Sequence, residues 1–184
     1  LDGKPLAREA ALRRFVDSTG RPGPATWELG GFPVGKADYP VAGVSWYEAM
    51  AYARFRGKSL PTAYHWLRAA LPGSEIIGSL AASIAPLSNL GGSAVAPVGK
   101  FAGLGPWGTY DMFGNVREWL ANPGREGGWL TGGSWEDPLY SYSDLLAAPR
   151  MERSSLNGIR LMKPVELDGD LAAVLVAHFG VHIE

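Results

Sequence analysis

The chain has 184 residues, a formal net charge of -1 and no cysteine. This length suits one domain with a single core. The Lys and Arg residues are scattered, and no apolar run approaches the length of a membrane span, so we expect no nucleic-acid partner and no membrane contact. The missing cysteines exclude disulfides, thiolate metal ligands and thiol nucleophiles, but they leave the compartment open.

Gly, Pro and Trp are abundant, at 25, 14 and 7 residues. This composition indicates a loop-rich domain whose irregular backbone is fixed by buried aromatic side chains. The chain starts at Leu1 without an initiator Met or a signal-peptide pattern, so we expect a fragment of a longer protein.

The first predicted element is a helix over residues 7–20. Ala7, Ala11 and Phe15 have helical spacing, and Gly20 stands where a left-handed C-terminal cap belongs. The stretch that follows, RPGPATWELGGFPVG, is too rich in Pro and Gly for a regular element.

Two further helices have clear boundary signals. Ser45 and Glu48 form a capping-box pattern, and Gly57 marks the end of that helix. Thr62 can cap a helix over residues 64–71. The residues of the first of these two helices that we expect to face the core are Trp46, Met50, Ala53 and Phe55.

The second half of the chain has strand signals rather than helix signals. Residues 72–106 are small and weakly periodic, which predicts a long loop with short strands. The segments GGWLTGGSW and LNGIRLM read as antiparallel strands bounded by turns. An apolar segment after Pro164 reads equally as a helix or a strand. Helices followed by antiparallel strands indicate an α+β fold.

One turn combines acids with a large aromatic residue, in the stretch YDMFGNVREWL. Asp111 and Glu118 flank the Gly114–Asn115 pair, and Trp119 is expected to anchor the turn in the core. The residues alone leave two interpretations open: a surface turn with two solvated acids, or an oxygen-rich turn around a cation.

Several ordered motifs resemble the formylglycine-generating enzyme family, also called the sulfatase-modifying factor family. They are YPVAGVSWYEAMAYARFRGKSLPTAYHWLRAA, PVGKFAGLGPWGTYDMFGNVREW, LTGGSW and NGIRLM. The resemblance is strongest over residues 39–163, and it implies a domain over 1–163 followed by an extension over 164–184. It also implies the family's fold, a loop-rich variant of the C-type lectin fold with two helices and short antiparallel strands.

The resemblance implies that the turn binds a structural calcium ion. The matching ligands are Asp111 and Glu118 through side chains, and Gly114 and Val116 through backbone carbonyls. Calcium prefers six to eight oxygen ligands of these kinds. Asn89 matches half of the family's other calcium site, but the acidic half is missing, so we expect Asn89 to be a turn residue.

The family's copper chemistry lacks its ligands in this chain. Family enzymes oxidise a sulfatase cysteine with copper held by two cysteines just after GGSW, and the matching positions here are Asp137 and Tyr142. Neither side chain is a soft thiolate for Cu(I), so we expect no copper and no oxidation of this kind. Related iron enzymes of the fold need three histidines. We expect His65 to be a packing residue and do not expect His178 and His182 to form a metal site.

The segment EDPLYSYSD has the polar and aromatic composition that binding surfaces favour. The resemblance places it beside the family's substrate groove, so we expect an unidentified protein or small ligand to bind near residues 134–144. An ordinary exposed loop explains the same composition equally well. The candidate contacts are Glu136, Asp137, Tyr140 and Tyr142, with Asp144 beside them.

The start of the chain departs from the family. Residues 1–38 lack the family's opening strand pattern, whereas residues 17–49 look most like the copies appended to bacterial serine/threonine kinases. We therefore expect a non-catalytic module that binds a ligand or a protein, within a larger kinase-linked protein. Two alternatives stay open: a formylglycine-generating oxidase, and a variable lectin-like receptor diversified by a retroelement.

Overall fold

The computed structural model describes residues 7–71, 77–124 and 127–163, and it has the expected α+β class. The apolar segment after Pro164, with His178 and His182, lies outside the described residues. The helices are α1 Arg8–Leu12, α2 Trp46–Phe55, α3 Ala63–Ala70 and α4 Ile77–Ile84; the strands are β1 Arg117–Pro123, β2 Gly128–Thr131, β3 Leu146–Ala148 and β4 Asn157–Gly158; short 3₁₀ helices cover Ala85–Leu87 and Leu139–Ser143.

The strands form one sheet in the order β3-β2-β1-β4. The β1–β2 and β2–β3 pairs are antiparallel, as the sequence predicts, but β4 runs parallel to β1. The expectation of an antiparallel strand in LNGIRLM is therefore wrong for its pairing with β1, although single antiparallel bridges join Gly158 to Ala42 and Met162 to Ser59. After β3 the chain contacts the start of α2, where Arg150 O accepts from Trp46 N at 3.0 Å. It then enters the sheet again as β4, in the direction of β1.

Helix α2 confirms its predicted boundaries. Ser45 Oγ accepts from Glu48 N at 3.2 Å, and Glu48 Oε2 accepts from Ser45 N at 2.7 Å, which completes the capping box. Gly57 adopts a φ of 62° just after the helix. The prediction that Phe55 faces the core is wrong, because Ala53 points inward and Phe55 lies about 200° further round the helix.

Helix α3 also begins where its capping residue predicts. Thr62 Oγ1 accepts from His65 N at 3.3 Å, and the His65 ring nitrogen Nδ1 lies 2.7 Å from the same hydroxyl. The exposed His65 therefore supports the cap, while Trp66 and Ala70 face the core.

Helix α1 is shorter than predicted, because Asp17 closes a turn that competes with the helix. Asp17 Oδ1 accepts from Thr19 N, Thr19 Oγ1 and Arg21 N at 2.8, 2.8 and 3.0 Å, and Oδ2 accepts from Gly30 N at 2.7 Å. Burial alone would raise the pKa of Asp17, but these hydrogen bonds outweigh it and lower the pKa to about 2.

Helix α4 lies in the segment predicted to be a loop with short strands, so that prediction is wrong for residues 77–84. Ala81 and Ile84 are buried three positions apart, and they pack in a cluster with Trp66 and Phe113. Tertiary packing therefore stabilises this helix, which the small and weakly periodic residues of the segment do not predict.

The core has two clusters on opposite sides of β1. Leu120 belongs to the cluster with α3 and α4, whereas Trp119 belongs to the cluster with α2 and Leu130. Successive strand residues point to opposite faces, so this one strand serves both clusters. Trp119 is completely buried and its Nε1 donates to Val44 O at 2.8 Å, which confirms its predicted role as an anchor of the turn.

Candidate recognition site

The 111–118 turn owes its tightness to left-handed backbone conformations. The φ values of Asp111, Gly114 and Asn115 are 54°, 78° and 66°. A Cβ atom at Gly114 would overlap the carbonyl of Asn89, so this position requires glycine. That carbonyl accepts from Asn115 N at 2.9 Å, and Gly114 N donates to Gly132 O at 2.7 Å.

Two buried asparagines join this turn to the preceding loop. Asn115 Oδ1 accepts from Asn89 Nδ2 at 3.2 Å and from Ala96 N at 2.9 Å, while Asn115 Nδ2 donates to Ala96 O at 3.0 Å. Asn89 Nδ2 also donates to Ala94 O at 3.0 Å. The side chain of Asn89 thus has protein partners, and sequence analysis missed this buried link because the two residues lie far apart in the chain.

The Glu118 carboxylate is paired with Arg160. Arg160 Nε lies 3.0 Å from Glu118 Oε1 and 2.9 Å from Oε2, and Trp66 Nε1 donates to Oε2 at 2.7 Å. Arg160 Nη2 also donates to Tyr110 O at 3.0 Å and contacts Asp111 O at 3.3 Å. The attraction of Glu118, with a smaller one from Asp111, raises the pKa of Arg160 despite its burial.

These contacts do not fit the calcium site that the family resemblance implies. Both oxygens of Glu118 accept from a guanidinium, and Asp111 Oδ2 accepts from Gly99 N at 2.7 Å. Within the described ranges, no three His, Cys, Asp or Glu side chains converge as metal ligands. Calcium binding by Asp111, Gly114, Val116 and Glu118 remains a prediction of the family resemblance alone, and it requires Arg160 to release Glu118.

Asp137, one of the candidate ligand contacts, is bound internally. Its Oδ2 accepts from Ser134 N at 2.7 Å, from Ser134 Oγ at 2.8 Å and from Arg117 Nε at 2.8 Å. Its Oδ1 pairs with Arg117 Nη2. Burial would raise the pKa of Asp137, but the hydrogen bonds from Arg117 and Ser134 outweigh it and lower the pKa.

The other candidate contacts divide into two groups. Tyr142 packs its ring 5.1 Å from the ring of Phe113, against the core. Glu136, Tyr140 and Asp144 are exposed, and the exposed fraction of Tyr140 is 76%. Solvent therefore reaches Glu136 and Tyr140, whereas Asp137 and Tyr142 hold the segment in place.

A cavity of about 240 Å³ opens beside this segment at Trp135. Sequence analysis missed this cavity, because its walls come from residues 26–42 together with Val95, Trp135 and Ser155, which lie far apart in the chain. Trp27 and Phe32 meet edge to face at 6.1 Å between ring centroids, and Lys36 Nζ lies 3.7 Å from the ring centroid of Tyr39. The signal in the sequence is the pair of aromatic residues, Trp27 and Phe32, within the Pro- and Gly-rich stretch. The cavity is lined by Thr26, Trp27, Phe32, Pro33, Lys36, Ala37, Tyr39, Pro40, Val41, Ala42, Val95, Trp135 and Ser155.

A sequence model described as the sulfatase-modifying factor enzyme 1-like domain matches residues 8–164. The chain belongs to this family. The match extends N-terminal to the quoted motifs, because it includes residues 8–38, which lack the family's opening strand pattern. Within the described residues, no helix has the length and apolar character needed to cross a membrane.

The relatives of this chain include proteins named as an inactive enzyme, an oxygenase and a protein kinase. The chain is similar to inactive C-alpha-formylglycine-generating enzyme 2 of Bos taurus, with 33% identity over 47% of the chain and 34% of the relative. It is 40% identical to hercynine oxygenase of Mycolicibacterium thermoresistibile, over 47% of the chain and 21% of that protein. It is 39% identical to serine/threonine-protein kinase pkn1 of Chlamydia caviae, over 46% of the chain and 14% of the kinase.

The chain thus spans about a third or less of the length of these relatives.

Solved structures share its fold at lower identity. CarF superposes with a TM-score of 0.57 and 22% identity, covering 77% of this chain and 71% of CarF. Treponema denticola variable protein 1 superposes with a TM-score of 0.55 and 20% identity, covering 82% of this chain and 78% of that protein.

Proposed function

We propose that this domain is a non-catalytic recognition module. The observation that carries the proposal is that the side chains of Asp137 and Tyr142 are engaged within the protein. By the sequence resemblance, these two residues occupy the positions of the family's copper-binding cysteines. Asp137 is bound by Arg117 and Ser134, and Tyr142 packs on Phe113. A carboxylate in a salt bridge and a packed phenol supply neither a Cu(I) ligand pair nor a free nucleophile.

Surface features near the same segment support a binding role. The cavity at Trp135 is concave and mainly apolar, which is typical of ligand sites. Glu136 and Tyr140 are exposed beside it and supply polar and aromatic contacts of the kind that interfaces favour. We also propose that the fold is the family's variant of the C-type lectin fold, which the sequence resemblance supports.

We further propose that the module belongs to a larger, kinase-linked bacterial protein. The similarity to kinase pkn1 of Chlamydia caviae supports this, because the matched region there is a small part of a kinase. Sequencing the reading frame on both sides of residues 1–184 tests the link. A kinase domain in the same frame is the expected result, and a frame without one would contradict it.

Two alternatives have a specific observation in their favour. The similarity to a hercynine oxygenase favours an oxidative enzyme. The fold shared with a variable protein favours a diversified receptor, which predicts sequence variation among sister copies concentrated in residues 136–157.

The test of the recognition function is an oxidation assay. The domain, loaded with one equivalent of copper, is incubated with a cysteine-containing sulfatase peptide, a thiol reductant and oxygen. An active formylglycine-generating enzyme serves as the positive control. We expect oxygen consumption and peptide mass to match a copper-only control, and formation of formylglycine would overturn the proposal.

A further inference from the structure

The cavity beside Trp135 has walls suited to an apolar group. Trp27, Phe32, Tyr39 and Trp135 contribute aromatic rings, and prolines and small aliphatic residues complete the lining. Phe32 is 54% exposed, so part of this aromatic surface faces solvent. Covering such surface is favourable at roughly 25 cal/mol per Å² of apolar area.

The charge at the cavity comes from one residue. Lys36 is the charged member of the described lining, and it forms no salt bridge with the described residues. Its ammonium rests on the face of Tyr39, 3.7 Å from the ring centroid, so it stays beside the opening. Asp38 and Glu136 are exposed nearby in sequence but are not part of the lining.

The sign of this charge separates two classes of ligand. Clustered aromatic rings commonly bind cations through their π faces. Here Lys36 already covers the face of Tyr39 and repels a second cation, whereas it attracts an anion. The volume of about 240 Å³ lies below the roughly 300–1,000 Å³ of typical small-molecule sites, so the cavity suits a compact group.

We propose that this cavity binds a compact aromatic or branched-aliphatic group that carries a carboxylate, with the carboxylate at Lys36 and the apolar part between Trp27 and Trp135. This inference rests on the proposed recognition function and adds the chemistry of its ligand.

Three probes that differ only in their end group test the assignment: 3-phenylpropionate, 3-phenylpropionamide and 3-phenylpropylamine. Each is titrated into the whole domain while the indole N–H signals of Trp27 and Trp135 are followed by NMR. We expect both signals to shift and the acid to bind about fivefold more tightly than the amide, with the amine weakest. Equal or tighter binding of the amine would overturn the proposal, and so would the absence of shifts at both tryptophans.

Lys36→Met removes the ammonium and retains most of the apolar stem. We expect this variant to bind the acid and the amide equally, whereas Lys58→Met, at an exposed position outside the cavity, retains the wild-type preference. A preference for the acid that survives in Lys36→Met would contradict the role of Lys36.

One further arm identifies the source of the carboxylate. Acetyl-Gly-Gly-Phe carries a free terminal carboxylate, and tighter binding than 3-phenylpropionate assigns the site to a polypeptide C-terminus. Weaker binding assigns it to a small free acid. Failure of all probes would overturn this ligand assignment but leaves the recognition function standing, because the oxidation assay tests that function separately.

Discussion

Arg160 places its guanidinium against the carboxylate of Glu118, with Nε within 3.0 Å of both carboxylate oxygens. The same guanidinium donates to the backbone carbonyl of Tyr110, so it joins both ends of the 111–118 turn. A positive charge therefore stabilises this turn from within the chain. Calcium has to displace Arg160 if it binds as the family resemblance implies.

The first prediction concerns this pair and calcium. Glu118→Ala leaves the partly buried Arg160 without its partner and removes the acceptor of Trp66, so we expect a loss of about 3 kcal/mol in the free energy of unfolding. Because Arg160 contacts both carboxylate oxygens of Glu118, we expect no calcium binding at this turn, so the melting temperature of the wild type should agree within about 1 °C in calcium and in chelator.

Arg160→Met with Glu118→Gln is the matched control, since it removes both charges together. We expect the double variant to lose less stability than Glu118→Ala alone, as measured by urea unfolding. If calcium raises the melting temperature of the wild type but not of Glu118→Ala, the family's calcium site is present and Arg160 moves aside.

The second prediction tests the backbone of the turn. Gly114→Ala adds a Cβ against the carbonyl of Asn89 at a positive φ, so we expect a loss above about 3 kcal/mol. Gly108→Ala is the control, because Gly108 has a similar φ of 76° but open space around its Cβ position. It should cost about 1 kcal/mol. Equal losses for the two variants would show that the contact with Asn89 contributes nothing.

The third prediction concerns acid stability. Hydrogen bonds lower the pKa of folded Asp17 to about 2, against 3.8 as its ordinary value. A carboxyl with a depressed folded pKa adds stability above its unfolded pKa and loses it as the pH falls through the folded one. We therefore expect the stability difference between the wild type and Asp17→Asn to be constant above pH 5 and to shrink from about pH 4 to pH 2. Urea midpoints at each pH measure it, and a difference independent of pH would contradict the assignment.

The parts of the fold that the sequence predicts are those fixed by local chemistry. Ser45 with Glu48, Thr62 and Gly57 mark helix ends through contacts within a few residues, and these boundaries are correct. The predicted length of helix α1 is too great because Asp17 accepts a hydrogen bond from the amide of Gly30, thirteen positions away. Helix α4 is missed because its stability comes from burial against residues distant in the chain.

The candidate site is less predictable, because its contacts are between distant segments. The pair of Glu118 with Arg160 and the pair of Arg117 with Asp137 join residues that no local pattern connects. The cavity needs Trp135 beside Trp27 and Tyr39, more than ninety positions earlier in the chain. Sequence motifs identify the family here, but only the folded chain brings these side chains together.

The measurement that tests the non-catalytic account most directly is a competition for Cu(I) against a chromogenic chelator. The wild type is compared with the double variant Asp137→Cys, Tyr142→Cys, which provides a thiol at each matching position. We predict that the wild type leaves Cu(I) on the chelator, because Asp137 is held by Arg117 and Tyr142 by Phe113. Removal of Cu(I) from the chelator by the wild type, lost in Asp137→Asn, would show that the site binds the metal and would contradict the account.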